Sequence, residues 1–348
     1  MCDSVGPEED RMDLAHRITL GRRPVHPTSV IVCTHNRADL LTSVINQLRS
    51  QDYPAASFEI VVVDNCSTDR TPEVVERLMA EPGVPVRYIA ESRPGITFAR
   101  NRGAEVARYP YLAFLDDDCS VGPDWLSQLV RGFDLHDDVA AVGGRVALDW
   151  DQHKEPAWLG PEFEHWLAAY NHFGTQPQLL ERKARIIECN MALKREAWKA
   201  AGGFLGMEQF GSKHMAASEI RYLFKQIERQ RGKAAFIPGA IAHHHIGQRS
   251  RRWMLRRAYW QGVSDGILDY LINRRSWLST ISRIILDAAA MICLFGFSGI
   301  SYIKADKAKG LFHLMRAIRR FSLVLSEIRL VGDWPRVRSW ASAHHPTR

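Results

Sequence analysis

Residues 111–119 read YLAFLDDDC, an apolar run that leads directly into three consecutive aspartates, Asp116, Asp117 and Asp118. An apolar run of this length is typical of a buried strand. Neighbouring carboxylates repel each other by roughly 1 kcal/mol in bulk water and by several-fold more near a protein surface. The sequence therefore indicates either that the three aspartates lie in open solvent or that a positive group lies among them.

The segments around this strand alternate between strand-like and helix-like patterns. Short β-branched runs end in polar turns, and the segments between them repeat apolar residues at helical spacing. The predicted strands with their turns are 28–37, 58–71, 86–91 and 111–117, and the predicted helices are 38–51, 71–80 and 95–108. This alternation predicts an α/β fold built on a doubly wound, mostly parallel sheet.

Polar side chains collect at three of the predicted strand ends. Thr34 to Arg37 follow the first strand, Asp64 and Asn65 end the second, and the three aspartates end the fourth. In doubly wound sheets, ligands bind outside the carboxyl ends of the strands. We therefore predict a ligand site where these ends meet.

The charge of the chain is unevenly distributed. The 348 residues have an ordinary globular composition, a length that suggests two domains, and a formal net charge of +7. Residues 1–248 hold 28 Lys and Arg against 33 Asp and Glu, whereas residues 249–348 hold 18 against 6. A basic C-terminal third indicates a phosphate-bearing partner, which leaves nucleic acid, anionic lipid and a pyrophosphate-bearing substrate open.

Six cysteines are scattered along the chain without a Cys-x-x-Cys pair. This spacing argues against a zinc site or a disulfide framework and fits a reducing compartment, so we expect a cytoplasmic protein. Residues 1–27 contain no apolar run of the kind found in secretory signals, and we predict that they form a flexible lead-in.

Six motifs occur in order between residues 28 and 245. They read VIVCTHNR, IVVVDNCSTD, GITFARNRG, FLDDDC, CNMALKREAWKAAGGF and IPGAIAHHH. Together they resemble the family-2 glycosyltransferases, which are inverting enzymes with the GT-A fold. The resemblance implies a GT-A catalytic domain at 28–245, preceded by the lead-in at 1–27 and followed by a basic helical extension at 246–348. The segment after the last motif is similar, more loosely, to bacterial enzymes of polysaccharide biosynthesis.

The resemblance implies a nucleotide-sugar donor bound together with Mn²⁺ or Mg²⁺. A hard divalent cation is the natural bridge between carboxylates and a diphosphate. In the family's Asp-x-Asp motif the last Asp binds the metal and the first reaches the ribose, so Asp118, together with His244, is expected to bind the metal. The expected nucleotide-binding residues are Thr34, Asn36, Arg37, Asp64, Arg100, Asp116 and Asp117.

Two of these assignments compete with plainer alternatives. Asp64 corresponds to the family's acceptor for a ring N–H of the base, which favours uracil. The usual Asp-Asp-Gly-Ser reads Asp-Asn-Cys-Ser here, and Ser67 to Asp69 are good helix caps. His244 lies six residues after a proline, where the family places a metal-facing histidine, and imidazole suits Mn²⁺. Three histidines in a row at 243–245 are also typical of a solvated strand end.

Residues 188–206 match the family's acceptor-side element, and one carboxylate is available to act as the catalytic base. The resemblance implies an acceptor pocket formed by Asn190, Gly202, Gly203, Phe204 and, from the next helix, Trp253. The family offers Glu-Asp at the head of a helix, whereas this chain has Glu219 followed by Ile220. An inverting transfer needs one carboxylate within hydrogen-bond reach of the attacking hydroxyl, so Glu219 is the expected base. A glutamate stabilised by the helix dipole is the structural alternative.

An apolar segment at 284–303 interrupts the basic region. It contains 20 residues with one charge, Asp287, and arginines flank it. A helix in the membrane interface, a membrane span, and a buried helix or oligomer contact remain open. A membrane location would imply a lipid-linked acceptor at the cytoplasmic face of an anionic membrane, where the enzyme would be peripheral.

The sequence thus predicts transfer of one sugar from a nucleoside diphosphate sugar, uridine-linked, to a hydroxyl of a glycan or a lipid-linked glycan. No nucleic acid partner is expected. A sugar nucleotidyltransferase is the first alternative, although a Gly-rich phosphate loop does not follow the first predicted strand. A scaffold protein that docks on a membrane or on nucleic acid, with catalysis lost, is the second.

Overall fold

The computed structural model describes the central part of the chain with internal gaps. The described residues are 24–150, 156, 158–159, 163, 166–167, 174–180, 186–205, 219–247, 250–273, 277–303 and 307–332. The strands within them are β1 Thr28–Thr34, β2 Phe58–Asn65, β3 Val86–Glu91, β4 Tyr111–Leu115, β5 Cys119–Val121, β6 Val139–Asp149, β7 Gln178–Leu180, β8 Asn190–Lys194 and β9 Lys233–His245. The helices are α1 Ala38–Arg49, α2 Thr71–Ala80, α3 Ile96–Val106, α4 Trp125–Val130, α5 Arg195–Ala200, α6 Glu219–Arg229, α7 Arg251–Asn273, α8 Trp277–Ile303 and α9 Lys307–Gly332.

The strands form one mixed sheet. Their order is β3-β2-β1-β4-β8-β6-β9-β5, and β7 pairs with β9. The first four strands in this order are parallel neighbours. Beyond β4 the directions are mixed, because β8 is antiparallel to both β4 and β6, whereas β6 and β9 are parallel. The expected α/β architecture is present, but the expectation of a mostly parallel sheet is correct only for its first half.

Helices cover both faces of the sheet because neighbouring residues of a strand point to opposite sides. Val30 and Val32 of β1 pack in the cluster that includes α1 and α2, whereas Ile31 and Cys33 pack in the cluster that includes α3 and α6. Every residue of β1 and β2 is buried. Burial on both faces explains why these strands read as almost unbroken apolar runs.

The C-terminal helices join the rest of the chain through a third apolar cluster. Ile246 and Met254 pack there with Phe163 and with Leu311 and Met315 of α9. α9 also packs along both α7 and α8. The domain boundary at residue 246 remains a prediction.

Helix α8 packs through a narrow stripe and exposes most of its apolar surface. Asp287 and Ser298 lie on the packed stripe, where they are 2% and 5% exposed, and Asp287 forms an ion pair with Arg320 of α9. The window Ile284–Ser301 has a mean hydropathy of 2.0 and is 11% buried. Among the described helices it is the one long and apolar enough to cross a membrane by length and composition. Its exposed large apolar side chains are Ile285, Leu286, Ile292, Phe295, Phe297 and Ile300.

Candidate active site

The polar residues that follow the parallel strands meet at one edge of the sheet. Thr34 at the end of β1 is the register partner of Asp64 in β2, and both are buried. The turn from Asp116 to Asp118 connects β4 to β5. Strand β5 pairs with β9 so that its first residue lies opposite His244. The topology therefore brings four sequence-distant segments together at this edge.

Two arginines lie among the three aspartates. Arg37 Nη1 donates to Asp117 Oδ1 at 2.8 Å and to Asp118 Oδ2 at 2.6 Å. Arg100, whose side chain is 7% exposed, donates from Nη2 to Asp116 Oδ1 at 3.2 Å. Opposite charges at these distances offset the repulsion that adjacent carboxylates exert on one another. The cluster is therefore a charge-compensated site and not an acidic turn in open solvent.

His244 extends the cluster from strand β9. Its Nε2 lies 3.5 Å from Asp118 Oδ1, and its Nδ1 lies 3.2 Å from the backbone oxygen of Leu167. An Nδ1–H that donates to a carbonyl directs Nε2 toward the carboxylate, which is how metal-binding histidines are commonly oriented. The next histidine, His245, lies 3.4 Å from Asp149 instead. Strand alternation thus separates the two rings.

Burial and charge shift the pKa values of the cluster in opposite directions. Burial raises the pKa of Asp117 to about 6, and the Arg37 guanidinium and the Thr34 hydroxyl oppose this only in part. Burial also disfavours the charged form of Asp118, but His244 and Arg37 outweigh it and hold the pKa of this carboxyl well below its ordinary value. The same pairing raises the pKa of His244, although burial opposes the rise. The low pKa of Asp118 favours its ionised form, which is the form that binds a cation.

Asp64 lies at the same edge and accepts two hydrogen bonds. Its Oδ1 accepts from the backbone N–H of Ser67 at 2.9 Å, and its Oδ2 accepts from the Tyr88 hydroxyl at 2.7 Å. A carboxylate oxygen has two lone pairs, so this side chain retains acceptor capacity for a ring N–H. Tyr88 is not among the sequence-predicted residues, although the in-register parallel pairing of β2 and β3 places it on the same face of the sheet as Asp64.

Asn36 connects the turns that follow β1 and β2. It adopts a left-handed backbone with φ 54°. Its N–H donates to Ser67 Oγ at 2.9 Å, and its Oδ1 accepts from the N–H of Thr68 at 2.7 Å. Asp69 spans the same gap, because its carboxylate accepts from the first backbone N–H of α1 and of α2. Asp69 is thus a cap, as the structural alternative predicts, and Asn36 fixes the shape of the turn beside the aspartates.

Asn190 lies in the core, which corrects its expected acceptor-binding role. Its side chain is fully buried, and its Oδ1 accepts from Trp125 Nε1 at 2.8 Å. Its Nδ2 donates to the backbone oxygens of Arg145 at 2.7 Å and Ala240 at 2.9 Å. These bonds tie β8 to α4, β6 and β9, and they account for the amide without an acceptor sugar.

Gly202 and Gly203 form the turn that follows α5. Both adopt left-handed backbones, with φ 84° and 78°. Asn101 is not among the sequence-predicted residues. It holds this turn through hydrogen bonds of 2.8 and 2.9 Å to the backbone N–H and oxygen of Phe204. The Phe204 ring is buried and packs edge-on against Phe114. Its side chain therefore belongs to the core, which corrects the expectation that it lines an acceptor pocket.

The two glycines allow backbone strain to be separated from a steric clash. An alanine at either position must adopt a positive φ, at a cost of about 1–2 kcal/mol. At position 203 the added Cβ would also lie 2.8 Å from Asn101 Oδ1, whereas at 202 nothing lies within 4 Å. We expect Gly203→Ala to lower the free energy of unfolding by about 1 kcal/mol more than Gly202→Ala, measured by urea denaturation. Equal losses would show that Asn101 moves aside without cost.

The remaining predicted residues, Glu219 and Trp253, lie in helices α6 and α7. Glu219 is the first described residue of α6, and its side chain lies outside the described part of the structure. Ile220, at the position of the family's Asp, is 6% exposed and packs in the core. Trp253 packs in the apolar cluster with α9, and the Arg257 guanidinium lies 5.5 Å from its ring centre. Its contacts place Trp253 with the helical extension.

The donor set of the cluster fits one divalent cation only in part. Within the described residues, no three His, Cys, Asp or Glu side chains are grouped to hold a metal. Asp118 Oδ1 and His244 Nε2, at 3.5 Å from each other, are close enough to ligate one cation at about 2.1 Å each. One carboxylate oxygen and one imidazole suit Mn²⁺. The described residues thus supply two ligands for such a cation, and a diphosphate and water would have to supply the others.

Comparison with known proteins identifies the family. The family model described as glycosyl transferase family 2 matches residues 29–201. The glucosyl-dolichyl phosphate glucuronosyltransferase of Haloferax volcanii is 27% identical over 256 residues, which cover 71% of this chain and 79% of that protein. The succinoglycan biosynthesis protein ExoM of Rhizobium meliloti is 27% identical over 241 residues, which cover 68% and 73%.

A solved structure shows the same fold. The mannosyltransferase PcManGT from Pyrobaculum calidifontis, in complex with GDP-Man and Mn²⁺, superposes with a TM-score of 0.57 at 20% identity. The alignment covers 91% of this chain and 94% of that chain. This likeness confirms the GT-A fold, including its C-terminal helices. The chain belongs to glycosyl transferase family 2 and is a glycosyltransferase.

Proposed function

We propose that this enzyme transfers a single sugar from a uridine diphosphate sugar to a hydroxyl of a glycan or lipid-linked glycan, with inversion at the anomeric carbon. The observation that carries the proposal is the charge-compensated cluster of Asp116 to Asp118 with Arg37, Arg100 and His244. It lies at the sheet edge where nucleotides bind in doubly wound folds. The names of the relatives support a glycan acceptor, since they refer to a dolichyl phosphate sugar and to succinoglycan.

The donor would lie across the ends of β1, β2 and β4. Asp64 accepts the ring N–H of uracil, Thr34 and Asn36 shape the turn beside the base and ribose, and Asp116 faces the ribose. Arg37 and Arg100 suit the diphosphate because a guanidinium binds pairs of oxygens with parallel N–H donors. The buried Asp117 holds Arg37 in place. The GT-A unit is proposed at 28–245 and the helical extension at 246–348.

Asp118 and His244 would hold Mn²⁺ or Mg²⁺ at the diphosphate. Such a cation, when bound, stabilises the negative charge that develops on the departing nucleoside diphosphate. Glu219 accepts the proton of the acceptor hydroxyl as its oxygen attacks the anomeric carbon. Because the attack comes from the side opposite the departing diphosphate, one displacement inverts the configuration. Gly202 and Gly203 lie on the acceptor side of this arrangement.

The products of turnover test the proposal. Purified full-length protein would be incubated with a panel of nucleotide sugars and Mn²⁺, with EDTA in a parallel series, and the nucleotide products separated by chromatography. Metal-dependent release of uridine diphosphate supports sugar transfer. Release of pyrophosphate would support a nucleotidyltransferase, and the absence of turnover with every donor would support a scaffold.

We also propose that α8 docks in the interface of an anionic membrane, which makes the enzyme peripheral on the cytoplasmic face. The exposed apolar side chains of α8 cover more than half of its circumference. The part of the chain that contains α8 is basic, since residues 249–348 hold 18 Lys and Arg against 6 Asp and Glu. Apolar insertion together with attraction to anionic lipid is the usual energetic basis of interfacial binding.

Alkylation of cysteines gives a direct measure of this docking. Cys293 is exposed on α8, whereas Cys33 is buried and burial raises its pKa to about 12. We expect vesicles that contain phosphatidylglycerol to slow alkylation of Cys293 at least several-fold, and to leave the half-buried Cys66 unchanged, as measured by peptide mass spectrometry. Equal Cys293 rates with and without vesicles would contradict the docking.

A further inference from the structure

A cavity of about 200 Å³ lies between α6 and the C-terminal helices. It has the volume of about six or seven liquid water molecules, which is room for a phosphate or diphosphate group. Helices α6, α7, α8 and α9 all contribute to its wall. The lining residues are Arg221, Asp265, Asp269, Leu294, Arg316, Arg319, Arg320 and Leu323.

The charge of this cavity favours an anion. Four arginines and two aspartates line it, and Asp287 forms an ion pair with the lining Arg320, which leaves an excess of one positive charge. Asp265, whose side chain is 3% exposed, accepts from Arg221 Nη1 at 2.5 Å on Oδ1 and from Arg319 Nη2 at 2.5 Å on Oδ2. One buried carboxylate thus fixes two guanidinium groups side by side. Because a guanidinium has five N–H donors, both arginines retain capacity for an anion after these bonds.

The position of the cavity connects the catalytic region with the exposed apolar surface. Arg221 lies in α6, two residues after Glu219, the proposed base. On the other side, Leu294 belongs to the packed stripe of α8, whose opposite surface carries the exposed apolar side chains. The cavity therefore lies between α6, the helix that carries the proposed base, and the packed stripe of α8.

We propose that this cavity binds the phosphate or diphosphate group that joins the acceptor glycan to its lipid. The glycan would extend toward α6 and the lipid chain along α8. This inference rests on the proposed transfer to a lipid-linked glycan and adds the site that recognises its phosphate. The positive lining selects for the phosphate, and the apolar face of α8 distinguishes a lipid-bound phosphate from a free one.

Binding of farnesyl diphosphate provides the test. Full-length protein in detergent would be titrated calorimetrically in EDTA, so that no metal-bound diphosphate forms at Asp118. Arg316 is exposed at the cavity, and its removal leaves the buried aspartates with their partners. We expect Arg316→Gln to weaken binding about tenfold, because a charge-assisted hydrogen bond is lost. Arg256→Gln, an exposed arginine of α7 outside the cavity lining, is the matched control and should bind as the wild type does.

Competition on the wild-type protein separates the sources of the anion. Each compound would be tested for displacement of bound farnesyl diphosphate. If farnesol and inorganic pyrophosphate displace it more weakly than unlabelled farnesyl diphosphate does, the result supports a site for a lipid-bound phosphate. Equal competition by farnesol would overturn the phosphate site, and equal competition by pyrophosphate would overturn its lipid specificity. Unchanged affinity in Arg316→Gln would also overturn the proposal.

The donor site is read out separately in the same proteins. Binding of uridine diphosphate with Mn²⁺ should depend on Asp118 and be unaffected by Arg316→Gln. A protein that binds the nucleotide but not farnesyl diphosphate would refute the cavity site alone. One that binds farnesyl diphosphate but no nucleotide would refute the proposed donor chemistry alone.

Discussion

Asp118→Asn is expected to slow metal-dependent release of nucleoside diphosphate on the order of a thousandfold. His244 and Arg37 hold the pKa of this carboxyl well below its ordinary value, and it lies 3.5 Å from His244 Nε2, so its loss removes one of the two protein groups proposed to hold the cation. Asn retains the size of the side chain but carries no charge. The measurement is the rate of uridine diphosphate production from the preferred donor at saturating Mn²⁺.

A thermal shift distinguishes lost metal binding from lost folding. Mn²⁺ with uridine diphosphate should raise the melting temperature of the wild type but not of Asp118→Asn, because a ligand stabilises only the state that binds it. Asp52→Asn, an exposed carboxylate next to the end of α1, is the control and should behave as the wild type. Near-normal turnover by Asp118→Asn would contradict a role of the carboxylate cluster in the mechanism.

Glu219→Gln is expected to lower kcat by about 10²–10⁴-fold, the usual contribution of a general base. Glutamine matches glutamate in shape but accepts no proton, so affinity for the donor should stay unchanged. The wild-type kcat should rise with pH through the pKa of the base, and this limb should be absent from the variant. Glu219→Asp should recover part of the rate.

Glu228→Gln is the matched control for this experiment. Glu228 lies near the other end of α6, where it pairs with Lys225 at 2.9 Å. Its substitution should leave kcat and its pH dependence unchanged. An unaltered kcat in Glu219→Gln would contradict the assignment of Glu219 as the base. It would favour Asp149, at the end of β6, in that role.

The parallel half of the fold could be predicted from the sequence because each strand is a buried run that ends in a polar turn. Helix α2 and strand β3 occur at the predicted residues 71–80 and 86–91. The antiparallel additions could not be predicted in this way. Strands β5 and β7 contain three residues each, too few to show a period. Strand direction beyond β4 depends on tertiary pairing.

Part of the candidate site could likewise be predicted from the sequence, and part of it could not. Polar residues directly after buried strands were recognisable from their position. The pairing of Arg37 with Asp117, 80 residues apart, depends on how the sheet is assembled. Asn190 was misplaced because an amide that bonds three distant groups inside the core has the same local sequence as one that faces a ligand. The motif's missing glycine is replaced by Cys66, which still adopts a left-handed backbone with φ 63°.

Strand β9 has a consequence for the reach of the enzyme. It carries His244 and is followed by α7, which begins seven residues later at Arg251. Seven residues span at most about 25 Å, so the distance from the sugar-transfer centre to the helices is bounded by a short tether. The proposed docking of α8 would then hold the enzyme at a fixed height above the bilayer. The enzyme would extend glycans while they are still short, and a long chain would carry its growing tip out of range.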